Sequence, residues 1–187
     1  MDLPIQHISD DVLTAMNRHG GSKAIVGAIA SLRKAMPDVA IRTTVMLGFP
    51  GEKDRDFSLL SQFIKETKFQ HLGAFLYSRE EGTAAWSLPN RTTKKTREGR
   101  LQSVMQTQLA ISEAWLSSFV GKTLEVVCEG YDPILRRYFA RAAFQAPEID
   151  GVVYFESARK EIAVGEFLSV RIESAMEYDL IGKEVRL

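Results

Sequence analysis

Residues 40–52 of the chain read AIRTTVMLGFPGE. The first eight are apolar and rich in β-branched side chains, which predicts a buried strand. Gly48, Pro50 and Gly51 then predict a tight turn. Residues 54–68 follow with apolar side chains at three- and four-residue spacing, which predicts a helix with one buried face. A strand, a turn and a helix in this order are typical of a parallel βαβ unit.

The flanking segments repeat this pattern. Residues 2–7 read as the end of a strand, residues 72–77 as a further strand, and Ser9 and Ser22 as caps of two intervening helices. We therefore expect about three βα units, which form part of a parallel (β/α) barrel. A parallel strand at an open edge needs a neighbour, so we expect the chain to be the C-terminal part of a larger protein.

The pattern changes after a long amphipathic helix predicted over residues 96–119. Short apolar runs separated by turn residues predict a small five-stranded antiparallel barrel of the OB-like kind. The predicted strands cover residues 124–127, 138–144, 152–156, 167–172 and 180–185. The sequence thus combines an α/β region with an all-β one, and we place the domain boundary between residues 118 and 119.

The composition is that of an ordinary globular protein. The chain has 187 residues, 45% of them hydrophobic and 26% charged. It contains no apolar run of the ~20 residues that a membrane helix needs, and no secretion signal. A single cysteine excludes an internal disulfide. We expect a cytoplasmic protein with no membrane partner.

The charge is unevenly distributed between the two predicted domains. Residues 1–118 carry 15 Lys and Arg against 12 Asp and Glu, and residues 119–187 carry 9 against 12. A barrel that grips phosphates is usually basic, so the net charge of −3 predicts weak or absent RNA binding. An acidic barrel suits a basic protein partner better.

Three strings carry a resemblance to a known family. Residues 42–52 (RTTVMLGFPGE), 146–151 (APEIDG) and 178–182 (YDLIG), in this order, resemble the radical-SAM methylthiotransferases. Residues 146–151 and 178–182 resemble the RimO branch, which adds a methylthio group to the β-carbon of an aspartate in small-subunit ribosomal protein twelve. Residues 1–118 look like the second half of the family's SAM barrel, and residues 119–187 like its TRAM domain. Ala140 departs from the branch, which usually has glycine there.

The resemblance implies S-adenosylmethionine (SAM) and two 4Fe–4S clusters as cofactors of the whole enzyme. The family holds one cluster on a Cys-x3-Cys-x2-Cys motif, whereas this chain has only Cys128, which reads as a buried packing thiol. We therefore expect no metal ligand and no catalytic residue in this chain, and no activity of the chain alone.

The resemblance also implies which residues lie beside SAM: Gln6, His7, Arg42, Thr44, Gly48, Phe49, Pro50, Gly51 and Glu52. Each has a structural alternative. Residues 48–52 could only join a strand to a helix, Arg42 could form a structural salt bridge, and His7 could be a hydrogen-bonded loop histidine. Residues 77–85 resemble a family loop that touches the site, or are a capped connector. The basic run at residues 94–100 reads as a solvated helix face.

For the barrel, the resemblance implies that target contacts are made by Glu148, Asp150, Tyr178 and Asp179. The alternative is a solvated turn, which Asp150-Gly151 favours in any case. The implied partner is a basic ribosomal protein, with possible contact to the ribosome. Two other functions stay open at this point: methylthiolation of a transfer-RNA adenosine, and a non-catalytic module that binds RNA or ribosomes.

Overall fold

The fold is that of a computed structural model, which describes residues 1–89, 92–159 and 161–185. The chain divides into two compact units, residues 1–111 and residues 112–187. The division falls inside the long helix, and the predicted domain boundary between residues 118 and 119 stays a prediction.

The first unit alternates helices with parallel strands, as the sequence predicts. Strands β1 and β2 pair in parallel from Arg42 opposite His71 to Leu47 opposite Leu76. Its elements are helices α1 (Asp10–Ala15) and α2 (Gly21–Ala35), strand β1 (Arg42–Leu47), helix α3 (Asp54–Thr67), strand β2 (His71–Leu76), a 3₁₀ turn (Ala84–Ser87) and the first part of helix α4 (Lys94–Ser117).

The segment before α1 lies along the other side of β1. It forms two isolated parallel bridges, from Asp2 to Arg42 and from Gln6 to Val45, rather than the predicted strand end. Gln6 has a φ of 65°, which turns the backbone out of the extended conformation. Three parallel segments therefore lie side by side in the order residues 2–6, β1 and β2.

One face of this sheet packs against the helices. Alternate residues of β1 point to this face, and Val45 and Leu47 are fully buried there. They share a core with Leu60 and Ile64 of α3 and Val104 of α4. The sequence predicted a buried strand, and the structure shows that alternate residues of it are buried.

Neither predicted serine cap closes its helix. Ser9 precedes α1, but its hydroxyl donates to Asp56 at 2.7 Å, and it makes no cap bond. Helix α2 begins at Gly21, one residue before Ser22. The Ser22 amide donates to the Asp10 carboxylate at 2.6 Å, so a residue of the preceding helix performs the capping.

The second unit is a closed five-stranded barrel with the strand order β3-β4-β5-β7-β6. The prediction of five strands is confirmed, but the barrel is mixed, because β5 and β7 pair in parallel. A closed ring with an odd number of strands cannot alternate direction throughout, so at least one pair must be parallel. The strands are β3 (Thr123–Asp132), β4 (Arg137–Ala142), β5 (Val153–Glu156), β6 (Phe167–Ala175) and β7 (Leu180–Val185).

The barrel interior is filled by apolar side chains from all five strands. Phe155 and Val170 are fully buried in it, and Cys128 is only 1% exposed. The predicted packing role of Cys128 is therefore confirmed. Among the helices of the described ranges, none has both the length and the apolar character that a membrane crossing requires.

Candidate functional site

The turn after β1 is closed by a residue of its own. The Gly48 amide donates to Glu52 Oε2 at 2.5 Å, and the Glu52 amide donates to the Phe49 carbonyl at 3.0 Å. Gly48 has a φ of 72°, and the stem of Arg97 occupies the space that a Cβ on Gly48 would need. Only glycine fits this position, and Gly51, with a φ of 93°, also lies in the left-handed region that favours glycine.

Phe49 stabilises the turn by packing against Tyr77. It is 5% exposed and meets the Tyr77 ring edge-on, with the ring centroids 5.1 Å apart. An aromatic pair of this geometry contributes about 1 kcal/mol beyond its burial. The turns after β1 and β2 are therefore joined through their aromatic residues.

Arg100 of α4 completes the turn, so the prediction of a solvated face is wrong for this residue of the basic run, whereas Lys94 and Lys95 are exposed as predicted. The Arg100 side chain is 6% exposed and reaches Glu52 and Asp54, at 2.6 Å each. Its guanidinium also lies over the Phe57 ring, 5.3 Å from the centroid. The helical spacing from Arg100 to the buried Val104 and onward to Gln108 is the sequence signal that places it on the buried stripe.

His7 lies in a second buried polar group beside the turn. It is fully buried, and its Nδ1 accepts the Ser9 amide at 3.0 Å. Ser9 in turn bonds Asp56, whose other oxygen accepts the Lys53 amide at 2.9 Å. The residues that follow the first parallel segment are thus tied to the start of α3, which begins directly after the turn of residues 48–52.

Burial opposes the charged form of each of these groups. It lowers the pKa of His7 to about 4, because desolvation and the positive Arg100 outweigh the attraction of Asp56. Burial also raises the pKa of Glu52, against the opposing effects of the Gly48 amide and Arg100. For Asp56 burial acts in the same upward direction, but the bonds from Lys53 and Ser9 prevail and the pKa is lowered.

Of the predicted cofactor residues, Gln6, His7 and residues 48–52 lie at or near the carboxyl end of β1, whereas Arg42 is the first residue of the strand and Thr44 lies within it. Gly48, Phe49, Pro50 and Glu52 are buried in the turn and His7 is buried beside it, whereas Gln6, Arg42, Thr44 and Gly51 are half-buried or exposed. Arg42 and Thr44 project from the face of β1 opposite the helical core. Phe75 of β2 lies on the same face and is 59% exposed.

The connector after β2 is held by Arg79. Its guanidinium stacks on the Trp86 ring, 4.6 Å from the centroid, and its Nε donates to the Trp86 carbonyl at 2.6 Å. Thr83 closes the turn between them through its hydroxyl bond to the Glu80 carbonyl at 2.7 Å. The predicted alternative of a capped connector describes these contacts.

In the barrel, the two predicted target-binding strings meet at one place. The Val152 amide donates to Asp179 Oδ1 at 2.7 Å, and the Ala146 amide donates to Asp150 Oδ2 at 2.6 Å. Both carboxylates therefore cap backbone groups of the loop that joins β4 and β5. Gln145, which the sequence analysis did not single out, holds the same loop by donating to the Gly151 carbonyl at 2.6 Å.

The remaining side chains of these loops face outward. Ile149 is 73% exposed and Tyr178 is 52% exposed, and Glu148 and Glu177 are exposed beside them in the sequence. We call residues 147–149 and 176–178 the loop surface of the barrel. It combines apolar and acidic groups.

Among the described residues, no group of three or more His, Cys, Asp or Glu side chains is arranged to hold a metal ion. Cys128 is a free cysteine in the barrel interior, where burial raises the pKa of its thiol.

Comparison with known proteins shows similarity to one domain family and to a set of longer proteins. Residues 120–185 match the TRAM domain. Proteins named ribosomal protein uS12 methylthiotransferase RimO match almost the whole chain. The chain is similar to the RimO methylthiotransferases over nearly its whole length. This confirms the resemblance carried by the three strings.

The similarity is even among these RimO relatives. The protein of Thermoanaerobacter sp. (strain X514) is 43% identical over 98% of this chain. Those of Alkaliphilus oremlandii and Citrifermentans bemidjiense are 41% and 40% identical over 97% and 99%. The chain covers 41%, 42% and 41% of these three RimO proteins, so it spans about two fifths of the length of the curated relatives it matches.

Proposed function

We propose that this chain supplies part of the SAM site and the target-binding barrel of an enzyme that methylthiolates the β-carbon of an aspartate in ribosomal protein uS12. The observation that carries the proposal is the similarity of about 40% over nearly the whole chain to RimO proteins. The position of Gln6, His7 and residues 48–52 at or near the carboxyl end of β1 supports it. Action on a ribosomal protein would place the chain in the cytoplasm.

The chemistry of the accessible residues fits SAM. The guanidinium of Arg42 can pair with the SAM carboxylate, and the Thr44 hydroxyl and Gln6 amide can bond polar atoms of the ligand. The turn of residues 48–51 offers a rigid backbone edge beside the adenosyl group. His7, Phe49, Pro50 and Glu52 are buried, so in this proposal they stabilise the turn and do not contact the ligand. When bound beside a reduced cluster, SAM supplies the radical that removes hydrogen from the target.

Among the described residues, no group of His, Cys, Asp or Glu side chains is arranged to ligate either of the two 4Fe–4S clusters. We propose that both are held by cysteines outside this chain, and that the chain by itself does not cleave SAM. Iron and sulfide reconstitution of the purified chain followed by assay of 5′-deoxyadenosine tests this. Product above the level of a sample without protein would contradict it.

On the barrel, the exposed loop surface supports a basic protein target. Glu148 and Tyr178 are accessible there, while Asp150 and Asp179 keep the loops in shape. The net charge of −3 over residues 119–187 complements a ribosomal protein better than it does RNA.

The deciding experiment compares two ligands of the chain, purified uS12 and transfer RNA, at several salt concentrations. We expect saturable binding of uS12 and weak binding of RNA. If only RNA binds, with an affinity that falls steeply with salt, the transfer-RNA branch or an RNA-binding module is the correct function. The variant Tyr178→Ala should weaken uS12 binding, whereas Tyr131→Ala, also exposed but outside the loop surface, serves as its matched control.

A further inference from the structure

We infer that Arg100 is a positioning residue for the turn of residues 48–52, through which it sets the affinity of the chain for SAM. The inference rests on the proposed function for the identity of the ligand. The structural part, that Arg100 holds the turn through Glu52, stands on the geometry of this unit alone.

The first step is the burial of Glu52. Its side chain is completely inaccessible to solvent, yet it carries a carboxylate. A buried carboxylate must be paired or take up a proton. Glu52 Oε1 meets Arg100 at 2.6 Å, and Glu52 Oε2 meets the Gly48 amide at 2.5 Å. The cation on α4 therefore favours the charged form of Glu52, against the burial that raises its pKa, and the charged Glu52 holds Gly48.

The second step is the fixed position of the guanidinium. Arg100 is 6% exposed and donates to each carboxylate from a different nitrogen, from Nη1 to Glu52 and from Nη2 to Asp54. It thus bridges the last residue of the turn and the first residue of α3. Phe57 flanks it on one side. A lysine at this position has one charged nitrogen and cannot reproduce the fork, although it can still neutralise Glu52.

The contacts between Arg100, Glu52 and Gly48 bear on ligand binding through the conformation of the turn. Gly48 adopts a left-handed φ of 72°, a conformation that the chain must be held in to present the same backbone edge to a ligand. Without Arg100, Glu52 would become neutral, and its bond to the Gly48 amide would weaken. The turn would then sample other conformations, and a ligand would have to select the competent one at a cost in affinity.

The test uses the 187-residue chain with ¹⁵N-labelled glycine, in the unaltered form and as the variants Arg100→Gln and Arg100→Lys. Two quantities are measured: the pH dependence of the Gly48 amide resonance between pH 6 and 8, and the dissociation constant for SAM. The control is Gln108→Ala. It removes a buried side chain from the same helix that donates to the Phe69 carbonyl at 2.9 Å, away from the turn.

In the unaltered chain we expect a Gly48 resonance that does not change over this pH range. In Arg100→Gln the resonance should titrate as Glu52 takes up a proton, and the affinity for SAM should fall at least tenfold. Arg100→Lys should restore the flat pH response and most of the affinity. Gln108→Ala should lower the unfolding temperature and leave both readings unchanged.

A Gly48 resonance that remains flat in Arg100→Gln would overturn the inference, as would an equal loss of SAM affinity in Gln108→Ala. If the unaltered chain fails to bind SAM, the role of Arg100 in SAM affinity falls together with the cofactor part of the proposed function. The Gly48 resonance then still decides whether Arg100 holds the turn.

Discussion

Gly151 lies against the backbone carbonyl of Tyr178, so close that a Cβ on Gly151 would overlap the carbonyl carbon and oxygen. This contact joins the two strings that resemble the RimO branch, residues 146–151 and 178–182. The Asp179 side chain, which accepts the Val152 amide at 2.7 Å, lies next to it. The two strings are therefore parts of one loop structure at the barrel.

Gly151→Ala should destabilise the barrel by about 3 kcal/mol, because backbone atoms must move to accept the methyl group. The matched control is Gly165→Ala. Gly165 has a φ of 87° and open space around it, so that substitution adds backbone strain of about 1 kcal/mol without a collision. Chemical unfolding of both variants measures the difference. If both variants lost the same free energy of unfolding, the Tyr178 carbonyl would have moved away from the new methyl group at little cost.

The buried histidine makes stability depend on pH. The pKa of His7 is lowered to about 4 from its ordinary value of 6.5. The unfolded chain therefore binds more protons than the folded chain between these values. The stabilisation is fully present above pH 6.5 and is lost as the pH falls towards 4, by an amount on the order of 3 kcal/mol.

We expect His7→Gln to remove this part of the pH dependence, measured as the free energy of unfolding between pH 4 and 7. Buried carboxylates also contribute to the profile, so the relevant quantity is the difference between the two proteins. His19→Gln, at an exposed position, is the control. A His7→Gln profile parallel to that of the unaltered chain would show that His7 is accessible to protons in the folded state.

The sequence predicted those features that depend on local pattern. A run of apolar and β-branched residues identified β1, and turn residues separated all five barrel strands. The helix caps failed for the opposite reason. The local pattern offered Ser9 and Ser22, but Ser9 bonds Asp56, which lies 47 positions away in the sequence.

The candidate site shows the same division. The turn of residues 48–52 was located from its glycines, but not its partner Arg100, which lies 48 positions from Glu52. A run of basic residues at a helix start usually faces solvent, and the four-residue spacing of Arg100, Val104 and Gln108 was the sequence signal against that interpretation. Similarly, the parallel pairing of β5 with β7 is a property of ring closure and not of either strand.

Cys128 should report on the integrity of the barrel. It is 1% exposed, and burial raises the pKa of its thiol, so both access and thiolate formation are suppressed. We expect reaction with a thiol reagent to be at least a hundredfold slower in the folded chain than in denaturant. Ala163→Cys in a Cys128→Ser background places a thiol at an exposed position and should react at nearly the same rate in both states. Fast labelling of Cys128 without denaturant would reveal frequent opening of the barrel.

At the loop surface, a residue that stabilises the loops can be distinguished by mutation from a residue that is exposed to a target. Asp179→Ala leaves the Val152 amide without its acceptor, and should cost about 1–2 kcal/mol of barrel stability. Asp179→Asn keeps an acceptor oxygen and should recover most of it. Tyr178→Ala changes a side chain that is 52% exposed, so it should leave the unfolding free energy within about 0.5 kcal/mol of the original.

Binding of uS12 should follow a different order from stability. Tyr178→Ala and Glu148→Gln should each weaken it severalfold, because both side chains are exposed on the loop surface and Glu148 also loses its charge. Asp179→Asn should bind as the unaltered chain does, since its carboxylate is occupied by the Val152 amide. Titration calorimetry of the four proteins at one salt concentration gives the comparison. If affinity instead followed stability across the series, the loops would contribute shape alone, and recognition of the target would have to lie on another face of the barrel.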